Sequence, residues 1–97
     1  MPRYLLRYED AYLEDLRTLA RAYDLPIISR AVLQLADQAE TRSRNRKPLS
    51  AAISWCPTAT WQLRIEDYRV LYRVDGSIVQ VLRVRFKGFR TTEEMGP

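Results

Sequence analysis

Hydrophobic and polar residues alternate along three consecutive segments in the second half of the chain. The segments span 60–65, 68–74 and 78–87, and each is dense in β-branched, aromatic and aliphatic residues. The breaks between them, at 66–67 and 75–77, are short and polar, as in the turns of β-hairpins. The pattern therefore predicts three antiparallel strands that form a meander.

Alternation also sorts the side chains of these strands, because successive residues of a strand point to opposite faces of the sheet. In the third strand it puts four apolar residues on one face: Ile78, Leu82, Val84 and Phe86. The same rule puts Val79 and Val81 on the other face, beside the arginines of that strand. This other face would collect six cations and no carboxylate: Arg64, Arg69, Arg73, Arg83, Arg85 and Lys87. The pattern predicts a sheet with one apolar and one cationic face.

The first half of the chain predicts one strand and two helices. Residues 3–8 alternate as a strand, and the carboxylates of 9–10 stand where the start of a helix favours negative charge. Apolar residues then recur at helical spacing as far as Tyr23, and a second stripe follows the helix-start pattern of 24–26 and continues to Ala39. We therefore predict an α+β fold with an N-terminal strand, a helical hairpin and a three-stranded antiparallel meander. The helices would cover the apolar face of the sheet and leave the cationic face open.

Two segments between the predicted helices and the meander show no regular pattern. Residues 42–48 are basic and end at a proline, which is typical of a solvated connection. Residues 49–59 are small and irregular, and we interpret Trp55 as a plug over the edge of the core rather than a platform for a base. Near the C-terminus, residues 91–94 could cap one terminal helical turn.

Length and composition predict one compact domain that spans residues 1–97. With 46% hydrophobic residues, a chain of this length buries a core without disulfides. The single cysteine, Cys56, cannot form an internal disulfide, and the chain does not begin with a charged and then apolar leader. No apolar run approaches the roughly 18 residues that cross a bilayer. We therefore expect a cytoplasmic protein that does not enter a membrane.

The positive charge is concentrated in the second half of the chain. The net charge is +4, but residues 42–90 carry eleven Lys and Arg side chains against three carboxylates. Such a surface attracts partners that carry phosphates or other acidic groups. Arginines that only solubilise an exposed sheet face would give the same composition, so charge alone leaves both interpretations open.

The residue types exclude several kinds of active site. The chain has no histidine and one cysteine, so it offers no zinc cluster and no Ser-His or Cys-His pair. Three glycines do not build a phosphate-cradling loop. The adjacent carboxylates at 66–67 and 93–94 do not suit a metal pair, so we expect no metal and no cofactor. Any catalysis would depend on Arg and Lys, with Tyr as a further proton carrier.

One reaction remains open to such side chains. In RNA the 2′-hydroxyl can attack the neighbouring phosphorus when it is held in line, so no external nucleophile is needed. Guanidinium groups can align the phosphate and neutralise the charge that develops on its oxygens. Lys87 would then be the candidate proton carrier. DNA lacks the 2′-hydroxyl, so a cationic face alone would bind DNA without cutting it.

The order of elements, together with the motifs at 47–49 and 61–74, resembles the RelE/ParE superfamily of toxins from bacterial type II toxin–antitoxin systems. The resemblance covers nearly the whole chain. It implies a small toxin that a cognate antitoxin neutralises. RelE-type members cleave messenger RNA on the ribosome, and ParE-type members inhibit DNA gyrase on a similar scaffold. The RelE-type activity is our first expectation and gyrase inhibition is the alternative.

The resemblance also implies roles for individual residues. The catalytic set carried over from RelE-type toxins is Arg64, Arg69, Arg85 and Lys87. The set expected to bind RNA is Arg44, Arg46, Lys47, Gln62, Arg73, Arg83, Phe89 and Arg90. This chain departs from the pattern at Gln62, where RelE-type toxins have a lysine, and after Lys87, where the C-terminal tyrosine has no counterpart. Phe89 could stack on a base but cannot move a proton.

Overall fold

The computed structural model describes residues 3–19 and 24–87. Within these residues the elements follow one another as β1 (Leu5–Tyr8), α1 (Asp10–Leu19), α2 (Asp24–Val32), α3 (Leu35–Gln38), β2 (Arg46–Pro48), β3 (Trp61–Ile65), β4 (Tyr68–Asp75) and β5 (Ile78–Phe86). None of these helices is long and apolar enough to traverse a lipid bilayer. The predicted helix end at Tyr23 and the predicted C-terminal turn lie outside the described residues.

The strands form one mixed sheet in the order β1-β5-β4-β3-β2. β3, β4 and β5 pair antiparallel as a meander, and β1 pairs parallel to β5. The meander and the α+β fold predicted from the sequence are thus confirmed. Both meander turns have two residues, and the first of each has a positive φ, 54° at Glu66 and 61° at Gly76. A positive φ at this place suits the twist of a two-residue hairpin.

Two predictions of local structure were wrong. Residues 46–48, interpreted as a solvated connection, form β2, which pairs antiparallel with β3. An edge strand of this kind tolerates polar side chains and a terminal proline, so its sequence carries no hydrophobic signal. The second predicted helix is divided, because residues 33–34 form turns between α2 and α3.

The helices pack on one face of the sheet, as predicted. The helical side of this core comes from Tyr12, Leu16, Ile28, Val32, Leu35 and Ala39. The sheet side comes from Leu63, Ile65, Tyr68, Val70, Tyr72, Val79, Val81 and Val84. We call this side of the sheet the helix face and the opposite side the second face.

A β-bulge in β5 changes the predicted sorting of its side chains. Leu71 pairs with Arg83 and Tyr72 pairs with Val81, so Leu82 is an extra residue without a partner in β4. Such an insertion reverses the alternation. Val79 and Val81 before the bulge and Val84 after it therefore all lie on the helix face, which corrects the prediction for the two earlier valines. The prediction for Leu82 was also wrong, since Leu82 packs on the opposite side of the sheet.

The second face is only partly open, which corrects the prediction of a bare cationic surface. Residues 49–60 fold back over its middle and form a small core of their own. Its buried members are Ile53, Cys56, Ala59 and Leu71, with Leu49, Trp55 and Leu82 packed against them. The interpretation of Trp55 as a plug is confirmed. This loop separates the arginines of the second face into distinct surroundings.

Candidate functional site

The open end of the second face contains a small cavity of about 200 Å³ that is lined by cations. We call it the cationic pocket. Its lining residues are Arg44, Asn45, Lys47, Gln62, Arg64, Arg69 and Lys87. Six of them belong to the predicted site, and Asn45 was missed because an exposed asparagine between arginines gives no signal of its own. The strands β2, β3 and β4, the residue after β5 and the segment before β2 thus bring together cations that are up to 43 positions apart in the sequence, from Arg44 to Lys87.

Two arginines of the pocket stand directly opposite each other in neighbouring strands. Arg64 of β3 pairs with Arg69 of β4, and Arg69 in turn pairs with Arg85 of β5. Like charges in this register destabilise a sheet. Burial is the main cause that lowers the pKa of Arg69, and the positive charge of Arg64 lowers it further. The carboxylate of Asp67 acts in the opposite sense. The opposed Arg64–Arg69 pair is therefore a feature that the fold would be more stable without.

The Arg69 side chain is held by the β3–β4 turn. Its Nη1 donates hydrogen bonds to the backbone oxygens of Glu66, at 3.0 Å, and Tyr68, at 2.9 Å. Within the described residues no hydrogen bond uses Nε or Nη2 of Arg69, so these two nitrogens of the guanidinium group can donate to a ligand. The turn fixes the direction of the guanidinium before any anion arrives.

The segment before β2 is also shaped locally. The Ser43 hydroxyl accepts hydrogen bonds from the backbone N–H groups of Asn45 and Arg46, both at 3.2 Å, as in the side-chain turns that serine favours. The Arg64 N–H then donates to the Asn45 carbonyl at 2.7 Å. These bonds hold Arg44 and Lys47 beside β3 at the rim of the pocket.

None of the ion pairs seen among residues 3–19 and 24–87 involves Arg44, Arg64 or Arg69. Glu66 lines an adjoining cavity with Arg44 and Arg64 without forming such a pair. Several cations that converge without paired carboxylates form an environment that favours a phosphate or another anion.

Arg83 and Arg85 have a different environment, because α1 supplies a carboxylate to both of them. Asp15 is 7% exposed, and it accepts hydrogen bonds from Arg83 Nε at 2.7 Å and Arg83 Nη2 at 3.2 Å. Arg85 Nη1 forms an ion pair with the same carboxylate. Both guanidinium groups lie over the Trp55 ring, 5.7 and 5.4 Å from its centroid. Neither arginine lines the cationic pocket. This places Arg85, which was predicted to be catalytic, and Arg83, which was predicted to bind RNA, outside the candidate site.

Asp15 also stabilises the edge of β5. β1 pairs with β5 only as far as Val81, and the Val84 N–H beyond that point donates to Asp15 at 3.2 Å. Burial would raise the pKa of Asp15, but the hydrogen bonds from Arg83, Arg85 and Val84 outweigh it and lower the pKa.

The remaining predicted residues lie elsewhere. Arg46 is 8% exposed on the helix face, where its Nε donates to the Thr41 oxygen at 3.0 Å and its Nη1 to Gln34. Arg73 lies on the second face beyond the loop, and its Nη1 donates to Gln80 at 3.3 Å. Phe89 and Arg90 lie outside the described residues. The structure thus gathers about half of the predicted set.

The candidate proton carriers of the pocket are its two lysines. Lys47 and Lys87 line the cavity, whereas none of the tyrosines that the structure describes does. Tyr12 and Tyr72 are buried on the helix face, where burial raises the pKa of Tyr12 to about 12 and raises that of Tyr72 as well. These tyrosines contribute to the core.

Solved structures share this fold. One is the archaeal RelE–RelB complex from Pyrococcus horikoshii OT3, with a TM-score of 0.66 and 18% identity over 90% of this chain and 98% of the matching chain. The ParDE system of P. aeruginosa matches with a TM-score of 0.60 and 19% identity, over 84% of this chain and 94% of that chain. The fold is therefore that of the RelE/ParE toxins.

Sequence similarity narrows the assignment. A chain of the RelBE2 toxin–antitoxin complex from Mycobacterium tuberculosis is 31% identical, over 87% of this chain and 96% of its own, with a TM-score of 0.56. Among curated sequences no significant match was found. The family model described as the ParE toxin of the type II toxin–antitoxin system parDE matches residues 6–87. This chain belongs to that family and is the toxin of a type II toxin–antitoxin system.

Proposed function

We propose that this toxin is an endoribonuclease that cleaves messenger RNA on the ribosome, with the cationic pocket as the site that holds the scissile phosphate. The observation that carries the proposal is the Arg64–Arg69 pair, two arginines at directly opposed strand positions that both line the cavity. A protein gains no stability from this arrangement, but a phosphate between the two groups would convert the repulsion into two charge-assisted interactions.

The chemistry follows from the residues of the pocket. Arg64 and Arg69 would bind the two non-bridging phosphoryl oxygens and neutralise the charge that grows on them during attack. The 2′-oxygen loses its proton and bonds to phosphorus, the bond from phosphorus to the 5′-oxygen breaks, and the 5′-oxygen gains a proton. Lys87 is the candidate carrier of these protons. The products would be a 2′,3′-cyclic phosphate and a 5′-hydroxyl end.

The exposed cations beside the pocket extend the contact with RNA. Arg44 and Lys47 are exposed where they line the cavity, and there they would bind the backbone of the RNA rather than its bases. A cognate antitoxin is the expected protein partner, since the solved structures named above include toxin–antitoxin complexes.

The test compares two arginines of one strand. Arg69→Ala should lower transcript cleavage by about 100-fold or more, the usual effect of losing one donor that stabilises transition-state charge, and should abolish growth inhibition. Arg73→Ala is the matched control, because it removes the same charge from the same face of β4 about 13 Å away. Sequencing of transcript ends after induction reports cleavage directly. Full activity of Arg69→Ala would contradict the proposal.

Gyrase inhibition is the second candidate. The match to the parDE toxin model favours it, as does the position of Arg85, which Asp15 holds away from the pocket. A gyrase inhibitor would induce a DNA-damage response on expression and leave transcripts intact. Measuring both responses in the same induced culture separates the two functions.

A further inference from the structure

A larger groove adjoins the cationic pocket, and we propose that it binds the base of the nucleotide next to the scissile phosphate. We call it the loop groove. Its volume is about 570 Å³, and it lies between β2, β3 and the first residues of the loop at 49–60. The proposal rests on the proposed function, since it assigns a second part of the same RNA to a neighbouring surface.

The groove is continuous with the pocket. Lys47 and Gln62 line both cavities, and they stand opposite each other in the β2–β3 register. Gln62 and Arg64 point to the same face of β3, about 7 Å apart along the strand. An RNA backbone whose phosphate lies between Arg64 and Arg69 would therefore pass Lys47 on its way into the groove.

The lining of the groove suits a nucleoside. Leu49, Ala52 and Ile53 form an aliphatic wall, against which the flat face of a base can pack. Arg42 and Lys47 provide positive charge for the sugar–phosphate chain, and no carboxylate of residues 3–19 or 24–87 lines the cavity. The volume lies within the range of roughly 300–1,000 Å³ that is typical of small-molecule sites.

The loop that builds the groove is itself well anchored. The Leu49 N–H donates to the Thr60 oxygen at 2.9 Å, and the Thr60 N–H donates to the Tyr72 oxygen at 3.1 Å. Ile53 and Cys56 are buried against Leu71 of the sheet. The groove is therefore formed by the fold in the absence of a ligand, as expected for a preorganised binding site.

The experiment fills the groove and measures what one base contributes to binding. The probe is a labelled 2′-O-methyl RNA tetranucleotide, which cannot be cleaved. It is compared with a series of the same tetranucleotide in which each member lacks the base at one position. For the wild-type toxin we expect one abasic position to weaken binding by about fivefold. In the variant Ser50→Leu/Ala52→Leu, whose new side chains occupy the groove, the same abasic position should weaken binding by less than about twofold.

The control variant is Thr58→Leu/Thr60→Leu. It adds the same side chains at exposed positions of the same loop that do not line the groove, and it should keep the wild-type response. An unchanged fivefold loss in the groove variant would overturn the base subsite while leaving the proposed function standing. Wild-type protein that binds no RNA, or binds it independently of Arg64 and Arg69, would overturn both.

Discussion

The second face of the sheet uses the same residue type in two opposite ways. At one end, Arg83 and Arg85 share the buried carboxylate of Asp15 and lie over Trp55. At the other end, Arg64 and Arg69 are cross-strand partners that line the same cavity, and neither forms an ion pair with a described residue. The first pair holds a helix to the sheet, and the second pair is arranged to receive an anion.

The difference comes from what the rest of the chain brings to each end. α1 crosses β5 where β1 no longer covers its edge, and there Asp15 reaches both arginines and a backbone N–H. The β3–β4 turn binds the Arg69 guanidinium through two backbone oxygens, and none of the ion pairs between described residues joins Arg69 to a carboxylate of that turn. A positively charged residue on a sheet is therefore a ligand site only where the tertiary structure leaves its charge in place.

Removing Asp15 should have the largest effect on stability. Asp15→Ala leaves two partly buried arginines without their carboxylate, and breaking such a group should lower the free energy of unfolding by about 2–3 kcal/mol. For a chain of this size the melting temperature should fall by roughly 10–20 °C. The matched control is Glu14→Ala, which breaks an exposed pair with Arg17 and should change stability by less than about 0.5 kcal/mol. Equal melting temperatures for the two variants would contradict the structural role of Asp15.

The same group gives the stability a defined dependence on pH. The pKa of Asp15 is lower in the folded protein than in the unfolded chain, so its contribution is fully present above about pH 4. The stabilising contribution of Asp15 is lost as the pH falls from about 4 through the lower pKa that Asp15 has in the folded protein. Urea unfolding from pH 7 to pH 2 should therefore show the difference between wild type and Asp15→Ala shrinking only in the acid range. A difference that shrinks already between pH 7 and 5 would rule out this assignment.

A smaller effect of opposite sign is expected in the cationic pocket. Arg64→Thr removes one member of the opposed pair and adds a β-branched residue that suits a strand, so it should raise the free energy of unfolding by about 0.2–1 kcal/mol. RNA cleavage should be lost at the same time. Arg73→Thr, whose partner in β5 is Gln80, should be nearly neutral. Chemical unfolding of both variants at low salt checks the sign, and destabilisation by Arg64→Thr would contradict the idea that the pocket is built for a ligand.

The sequence predicts the meander well because its signal is local. Each of β3, β4 and β5 repeats the alternation over its own length, and the predicted bounds agree with the structure to within one residue. The placement of Arg64, Arg69 and Lys87 on one face of the sheet follows from this alternation alone.

The remainder of the site depends on contacts that the sequence does not display. Asp15 and Arg83 are 68 positions apart, and nothing in either segment marks them as partners. The bulge at Leu82 appears only when β4 and β5 are paired, since either register of the valines gives an acceptable strand. Arg46 lies in a basic run with exposed neighbours, yet it alone turns to the helix face, because it stands opposite the buried Leu63.

The salt dependence of RNA binding tests the central claim most directly. For single-stranded nucleic acid the logarithm of the binding constant falls with the logarithm of the salt concentration, with a slope of about −0.7 for each phosphate neutralised. With a 2′-O-methyl RNA probe, Arg64→Ala should make the slope shallower by about 0.7, because its charge meets a phosphate. Arg83→Ala should leave the slope unchanged, because Asp15 and Trp55 hold that guanidinium outside the cationic pocket. Equal changes for the two variants, or no change for Arg64→Ala, would contradict the account.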